Sequence, residues 1–251
     1  NASSCAQTVS VVDDEAPEIT CPPDATVNCE DSLHAAVLDE GLNVVDNCDY
    51  APAASYSDSS AAGTCPQEEV VTRTWTGMDD CGNASRCDQI ITVVDDEAPA
   101  ITCPKDTTVN CEDDRTSANT GVATATDNCD GEIDIVESDS VAAGSCPQEE
   151  VITRTWTGTD DCGNASSCAQ TVTVVDDEAP VINCPLLFTT VNCENDSSSA
   201  STGVATATDN CDDDVTITES DRIAAGSCPQ EKVITRTWTG TDDCGNASSC
   251  D

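Results

Sequence analysis

The phrase VVDDEAP occurs three times, at 11–17, 93–99 and 174–180, and each copy sets two aspartates and a glutamate side by side with no basic residue next to them. Adjacent carboxylates without a counter-charge are suited to a hard cation that takes oxygen ligands. The second set of residues with chemistry is nineteen cysteines against a single histidine, His34. Cysteine-based zinc sites use CxxC pairs, which are missing here, so the cysteines are read as disulfides and not as metal ligands or catalytic thiols.

The cysteines also set the organisation of the chain. One leftover, Cys5, is followed by three sets of six, and Cys5, Cys87, Cys168 and Cys250 close the same phrase, so a repeat is 81 or 82 residues long. From the last cysteine of a repeat across VVDDEAP to the next cysteine the spacing is always 16, whereas Cys29 to Cys48 and Cys184 to Cys193 are each one residue longer than their counterparts. A junction of fixed length, poor in Gly and Ser, reads as stiff. The expected organisation is residues 1–12 as the last strand of a preceding repeat, then repeats over 13–94, 95–175 and 176–251, the third lacking its last strand.

The elements that must position these residues are all β. Segments such as EIDIVES, EEVITRTWTGT and SCAQTVTVV alternate or cluster Val, Ile and Thr between turn phrases such as TDNCDG and DDCGNAS, which predicts antiparallel β-sandwiches. Trp75, Trp156 and Trp238 are expected in the core, with Arg73, Arg154 and Arg236 on the same strand face, stacked or paired with an acid. Aromatics make up 2% of the chain, so the cores are thin and the fold is expected to rely on disulfides, which implies an oxidising, extracellular compartment.

A formal charge of −41 repels nucleic acid and anionic membranes, and its self-repulsion disfavours compaction unless cations bind. No apolar run is long enough to insert in a membrane and no signal peptide is visible, as in a mature secreted chain. An enzyme is not expected: the same acids recur in every repeat, no histidine recurs, and no nucleophile stands beside a base.

The phrase order DDEAPxITCP, TVNCED, ATATDNCDG, CPQEEVITRTWTGTDDCGN and CAQTVTVV resembles the hyalin repeat (HYR), an immunoglobulin-like extracellular module found in tandem in adhesion and matrix proteins. The resemblance covers nearly the whole chain, which departs from the family in carrying six cysteines per repeat. It implies tandem Ig-like, Greek-key sandwiches in a linear rod. The acidic junction is also similar to the calcium-binding interdomain linkers of cadherins.

The Ig-like topology implied by this resemblance places each DDE at the head of its own repeat, beside the TDNCD and TDDCGN loops. The candidate Ca²⁺ ligands are then Asp13, Asp14, Glu15, Asp46, Asp49, Asp79 and Asp80 in the first repeat. In the second they are Asp95, Asp96, Glu97, Asp127, Asp130, Asp160 and Asp161, and in the third Asp176, Asp177, Glu178, Asp209, Asp212, Asp242 and Asp243. The alternative is that these acids are solvated turn residues.

The same topology implies the pairs Cys21–Cys87, Cys29–Cys65 and Cys48–Cys81, with Cys103–Cys168, Cys111–Cys146, Cys129–Cys162, Cys184–Cys250, Cys193–Cys228 and Cys211–Cys244 in the later repeats. Pairing of Cys81 with Cys87 across the hairpin turn is the local competitor. Asn1, Asn83, Asn164, Asn195 and Asn246 open N-glycosylation sequons, and the many Ser and Thr residues leave room for O-linked sugars.

The two ends are complementary, since the first twelve residues read as the strand that the third repeat lacks. Either a longer array continues, or each chain donates its first strand to a neighbour, and both give a head-to-tail filament of this protein with itself. The expected function is therefore a structural extracellular filament or adhesive stalk, stiffened by calcium and glycosylated. The alternative is a calcium-dependent cell-surface adhesin that binds a carbohydrate or receptor.

Overall fold

The computed structural model describes residues 2–31, 33, 38–186 and 188–251; the sequon at Asn1 lies outside them. The fold is all-β and Ig-like. Its elements divide between two compact units, one made of Asn1–Ile101, Ala125–Ile135 and Gly158–Ser166, the other of Thr102–Thr124, Val136–Thr157 and Ser167–Asp251. The first unit thus combines repeat 1 with the loops and strand ends that open repeat 2.

In the first unit the strands are β1 (Glu18–Thr20), β2 (Ala25–Asn28), β3 (Asn43–Val45), β4 (Ala53–Ala62), β5 (Glu69–Met78) and β6 (Ala84–Val94). They form a four-stranded sheet in the order β2-β6-β5-β4 and a two-stranded sheet, β1-β3. Alternation along β5 buries Val71, Arg73 and Trp75 and leaves the threonines between them half-buried, as a period of two requires.

One feature departs from the expected antiparallel sandwich. After β1 pairs antiparallel with β3, the chain passes Pro22 and Pro23, and β2 joins the larger sheet parallel to β6, with Ala25 opposite Ile91 and Asn28 opposite Val94. Proline cannot donate to a ladder, so Cys21-Pro22-Pro23 ends one pairing and releases the chain to the other sheet.

The second repeat follows the same plan. β7 (Ala100–Thr102) pairs with β9 (Thr124–Thr126), and after Pro104 β8 (Thr107–Asn110) lies parallel to β12 (Ala165–Val175). The four-stranded sheet runs β10-β11-β12-β8, where β10 is Asp134–Ala143 and β11 is Glu150–Thr159. In repeat 3, β13 (Val181–Asn183) pairs with β14 (Thr206–Thr208), and β15 (Thr216–Ala225), β16 (Lys232–Thr241) and β17 (Ala247–Cys250) form a three-stranded sheet. Residues 189–192, the counterparts of β2 and β8, form no strand, and β17 covers Ala247–Cys250.

The apolar cores are small. One gathers Leu38, Val71, Ile91 and Val93, the other Ile152, Val172 and Val174. Buried polar groups complete them: Trp75 donates Nε1–H to Gln89 Oε1 at 3.1 Å, and Gln89 Nε2 donates to the carbonyls of Pro23 at 2.8 Å and Leu38 at 3.1 Å. Arg73 is buried, donates to both carboxylate oxygens of Asp58 at 2.8 Å, and stacks over Tyr56 at 4.3 Å. Arg154 and Arg236 bind Asp139 and Asp221 in the same two-pronged way, as their shared face with the tryptophans predicts. A single helical turn at Ser117–Thr120 was not legible in the sequence; it delivers the buried Thr120 hydroxyl to Arg154 Nη1 at 2.9 Å.

Candidate metal centre

The alternation that buries Ile91 and Val93 carries one step past the end of β6 and buries Asp95, which is 4% exposed. The same register buries Asp176 beyond Val172 and Val174, again at 4%. A carboxylate so placed meets two others. Oxygens of Asp95, Asp127 and Asp160 lie within 4.8 Å of one another, as do those of Asp176, Asp209 and Asp242 and those of Asp13, Asp46 and Asp79.

Local backbone geometry aims the partners. Asp127 follows β9 and its Oδ1 accepts from the amides of Cys129 at 2.9 Å and Asp130 at 3.0 Å, an Asx turn that leaves Oδ2 buried without a donor. Asp160 opens the hairpin turn, whose Gly163 has φ 93°, and its Oδ1 accepts from the amides of Cys162 at 3.0 Å and Asn164 at 2.8 Å. No side chain donates to either oxygen of Asp95 or Asp176, whose one weak donor is the amide of Glu97 or Glu178; beside Asp176, Asp209 and Asp242 each leave Oδ2 without a donor.

No lysine or arginine pairs with any member of these triads among the described residues. Burial first, then the charge of Asp127, push the Asp95 carboxyl above its ordinary range; burial, then Asp209 and Asp242, do the same to Asp176. At an effective dielectric of about 20, each ionised pair within this separation costs about 3.5 kcal/mol or more. Three aspartate oxygens converging without a lysine or arginine partner fit a hard divalent cation such as Ca²⁺, which takes oxygen ligands.

The other expected ligands are placed differently. Asp130 accepts from the amides of Glu132 at 3.1 Å and Asp161 at 3.0 Å, and Asp49 and Asp212 tie their own two loops together in the same way. Asp96 and Asp177 accept from Asn28 and Asn110, each at 3.0 Å. Asp14, Glu15, Asp80, Glu97, Asp161, Glu178 and Asp243 stand outside the triads. A residue that sequence reading treated only as a sequon proves to belong to the site: Asn164 Nδ2 donates to the backbone carbonyl of Asp95 at 3.0 Å and to Asp160 Oδ2 at 2.9 Å, and Asn83 bonds Asp13 and Asp79 likewise. Both amide hydrogens of Asn83 and Asn164 are therefore engaged. Asn246 donates to the Asp176 carbonyl at 3.0 Å, whereas Asn195 is exposed.

Disulfides frame these centres. Cys21 pairs with Cys87, Cys103 with Cys168 and Cys184 with Cys250, the expected partners. The remaining pairs correct the expected scheme. Cys29 bonds Cys129 and not Cys65, Cys65 bonds Cys162, Cys111 bonds Cys211 and not Cys146, and Cys146 bonds Cys244; Cys5, Cys48, Cys81, Cys193 and Cys228 are free.

The parallel strand explains the change. Asn28 lies opposite Val94, and the Cys29 amide donates to the Val94 carbonyl at 2.9 Å, so Cys29 arrives beside Asp95, where the DNC loop of the following repeat closes. The Cα–Cα separations, 5.9 Å for Cys29–Cys129 and 5.1 Å for Cys65–Cys162, are those of a bridge. A sulfur of each of Cys29 and Cys129 lies within 4.8 Å of an Asp95 oxygen, but as a disulfide they offer no thiolate ligand.

No curated protein matches the chain. Similar solved structures include "Protocadherin Gamma B7 extracellular cadherin domains 1-4", at 14% identity over 95% of this chain and 76% of that one with a TM-score of 0.33. Drosophila N-cadherin EC1-4 is similar at 14% identity over 95% and 75% with a TM-score of 0.33, and human CDH23 EC21-23 at 12% over 94% and 99% with 0.34. Residues 99–174, the middle copy of the sequence repeat, match the family model described as "HYR-like domain with 4 cysteines".

Proposed function

We propose that the protein is a non-enzymatic structural component of an extracellular filament or adhesive stalk, a head-to-tail array of HYR-like repeats in which Ca²⁺ at the head of each repeat locks it to its predecessor. The observation that carries this reading is the buried Asp95 carboxylate, without a side-chain partner, between Asp127 and Asp160, repeated as Asp176 between Asp209 and Asp242.

The cation supplies the counter-charge that this constellation needs. The residues of the chain do the rest: Asp95 closes the site from the end of β6, the Asx turn of Asp127 and the hairpin turn of Asp160 fix the other two ligands, and Asn164 holds the backbone of Asp95 against Asp160. Each element that brings a ligand is itself tethered by a disulfide, Cys129 next to Asp127 and Cys162 next to Asp160. Such a site rigidifies a junction and performs no turnover.

The low aromatic content, the charge of −41 and the dependence on disulfides favour the extracellular setting. Among the described sequons, Asn195 is fully exposed and open to a glycan.

The test is calorimetric titration of Ca²⁺ into the chelator-treated chain, with thermal melting in parallel. Saturable binding with a raised Tm supports the reading. Absence of binding and identical melting in Ca²⁺ and in chelator overturn it.

A further inference from the structure

Two of the disulfides have a buried carboxylate against them. A ligand atom from each of Cys29, Cys129 and Asp95 lies within 4.8 Å of the others, and the same holds for Cys111, Cys211 and Asp176. Asp95 and Asp176 are each 4% exposed, and no side chain donates to their oxygens. Each also belongs to an aspartate triad, so bridge and metal centre meet at one carboxylate. One arrangement lies wholly in the first compact unit and the other wholly in the second.

The sulfurs of both pairs sit in the same polar surroundings. Asn28 Oδ1 is 3.0 Å from Cys29 Sγ and 3.4 Å from Cys129 Sγ; Asn110 Oδ1 is 2.9 Å from Cys111 Sγ and 3.3 Å from Cys211 Sγ. An amide faces them as well. Asn128 Nδ2 is 4.0 Å from Cys29 Sγ, and Asn210 Nδ2 is 3.0 Å from Cys211 Sγ and 3.8 Å from Cys111 Sγ. A disulfide sulfur has no hydrogen to donate, so these neighbours suit reduced sulfur better. The carbonyl oxygen accepts from an S–H, and the amide N–H donates to a thiolate, as an outer-shell partner of a metal ligand does.

We propose that reduction of each bridge turns its aspartate centre from an oxygen site for a hard cation into a thiolate–carboxylate site for a thiolate-seeking divalent cation such as Zn²⁺. The ligands are Cys29, Cys129 and Asp95 and, in the second copy, Cys111, Cys211 and Asp176. The inference rests on the reading of Asp95 and Asp176 as cation ligands and adds a redox-controlled choice of metal. Thiolates favour Zn²⁺, whereas carboxylates alone favour Ca²⁺. With the bridge open the sulfurs are free to separate, while Cα atoms 5.9 Å and 6.0 Å apart keep both within reach of one ion at Zn–S distances of about 2.3 Å. The reductant is a small thiol such as glutathione. One glutathione thiolate attacks a bridge sulfur and expels the other cysteine as a thiolate; a second attacks the mixed disulfide and expels the first. The protein sulfurs gain two electrons and two protons, and two glutathione thiols become one glutathione disulfide. Metal binding then releases the two thiol protons to water.

The experiment uses the full 251-residue chain, reduced with dithiothreitol, freed of it under nitrogen and titrated with Co²⁺, whose thiolate complexes absorb in the near ultraviolet. The reference is a fourfold variant carrying Cys29→Ser, Cys129→Ser, Cys111→Ser and Cys211→Ser. The expected result is thiolate-to-cobalt absorption, displaced by Zn²⁺, that exceeds the reference by one Co²⁺ for each of the two groups. Asp95→Asn with Asp176→Asn should weaken Co²⁺ binding by about tenfold or more, since loss of an outer-shell partner alone costs that much. Circular dichroism reports whether the reduced chain keeps its sheets. A second comparison needs no reductant. Cys129→Ser with Cys211→Ser frees Cys29 and Cys111 beside Asp95 and Asp176 while the other bridges stay closed, and should show cobalt absorption in excess of the fourfold variant.

Cobalt absorption equal to that of the fourfold variant in both comparisons, or an affinity unmoved by the two asparagines, overturns the inference. Ca²⁺ titration of the oxidised chain separates its failure from that of the calcium reading: Ca²⁺ binding without the extra cobalt absorption removes only the thiolate site, and extra cobalt absorption without Ca²⁺ binding removes only the calcium reading.

Discussion

The carboxylates of Asp95 and Asp127 lie within 4.8 Å of each other at the head of the second repeat, and no side chain donates to either oxygen of Asp95. Without a cation this pair opposes folding, so Asp95→Asn is expected to raise the Tm of the chelator-treated chain and to abolish the gain on adding Ca²⁺. For one such site, a cation at 100 times its Kd stabilises by about 2.7 kcal/mol. Melting of both proteins in chelator and in Ca²⁺ checks this; an unchanged Ca²⁺ response in the variant removes Asp95 from the site.

The Arg154 pair gives a pH dependence of definite sign. Hydrogen bonding from Arg154 holds the Asp139 carboxyl below its ordinary value, so its stabilisation is present above the ordinary carboxylate pKa and is lost as pH falls through the lowered one. Asp139→Asn should therefore destabilise at neutral pH by about 1 kcal/mol, less than a buried charge-assisted hydrogen bond because the Asp139 side chain is 36% exposed and screened by solvent. Acid titration of both proteins, followed by circular dichroism, should show the difference shrinking below the ordinary carboxylate pKa. A difference that grows on acidification contradicts the pairing.

Disulfide mapping of the native chain without reduction should return Cys29–Cys129, Cys65–Cys162, Cys111–Cys211 and Cys146–Cys244 and no Cys29–Cys65. The bridge across 100 residues of sequence restrains the unfolded chain by about 4 to 5 kcal/mol in the chain-entropy account. Cleavage at Arg115 alone is then expected to leave the halves joined until a thiol is added.

Gln89 links a tryptophan to two carbonyls in the interior of repeat 1. Gln89→Ala should cost about 2 to 3 kcal/mol because it strands several buried groups at once, and denaturant unfolding measures it. A loss under about 0.5 kcal/mol, as for ordinary surface substitutions, would make the network incidental.

Glycan occupancy is expected at Asn195 and not at Asn83 or Asn164, whose amide hydrogens are both spent on the acidic loops. Intact mass and peptide mapping from an N-glycosylating host decide it. A glycan on Asn164 would require the Asp95 carbonyl or Asp160 to lose its partner.

Much of this molecule is written in short-range pattern. Alternating Val, Ile and Thr fix the strands, the cysteine period fixes the repeat, and the spacing of Arg and Trp fixes one face of β5, β11 and β16, because a strand has a period of two and each pattern is local. The gathering of DDE, DNC and DDC was also within reach once a topology was granted. What the sequence did not decide was which acid of each group turns inward. Asp95 and not Asp96 enters the centre because it continues the buried register of Ile91 and Val93, and Asp127 and not Asp130 because an Asx turn spends one carboxylate on the centre and the other on the loop. Nor did the sequence decide the disulfides. Cys29 reaches Cys129 because a proline releases β2 to lie parallel to β6, which carries it to the end of the strand where the next repeat begins. Composition sets the number of bridges available, and only the path of the chain in space sets which sulfurs meet.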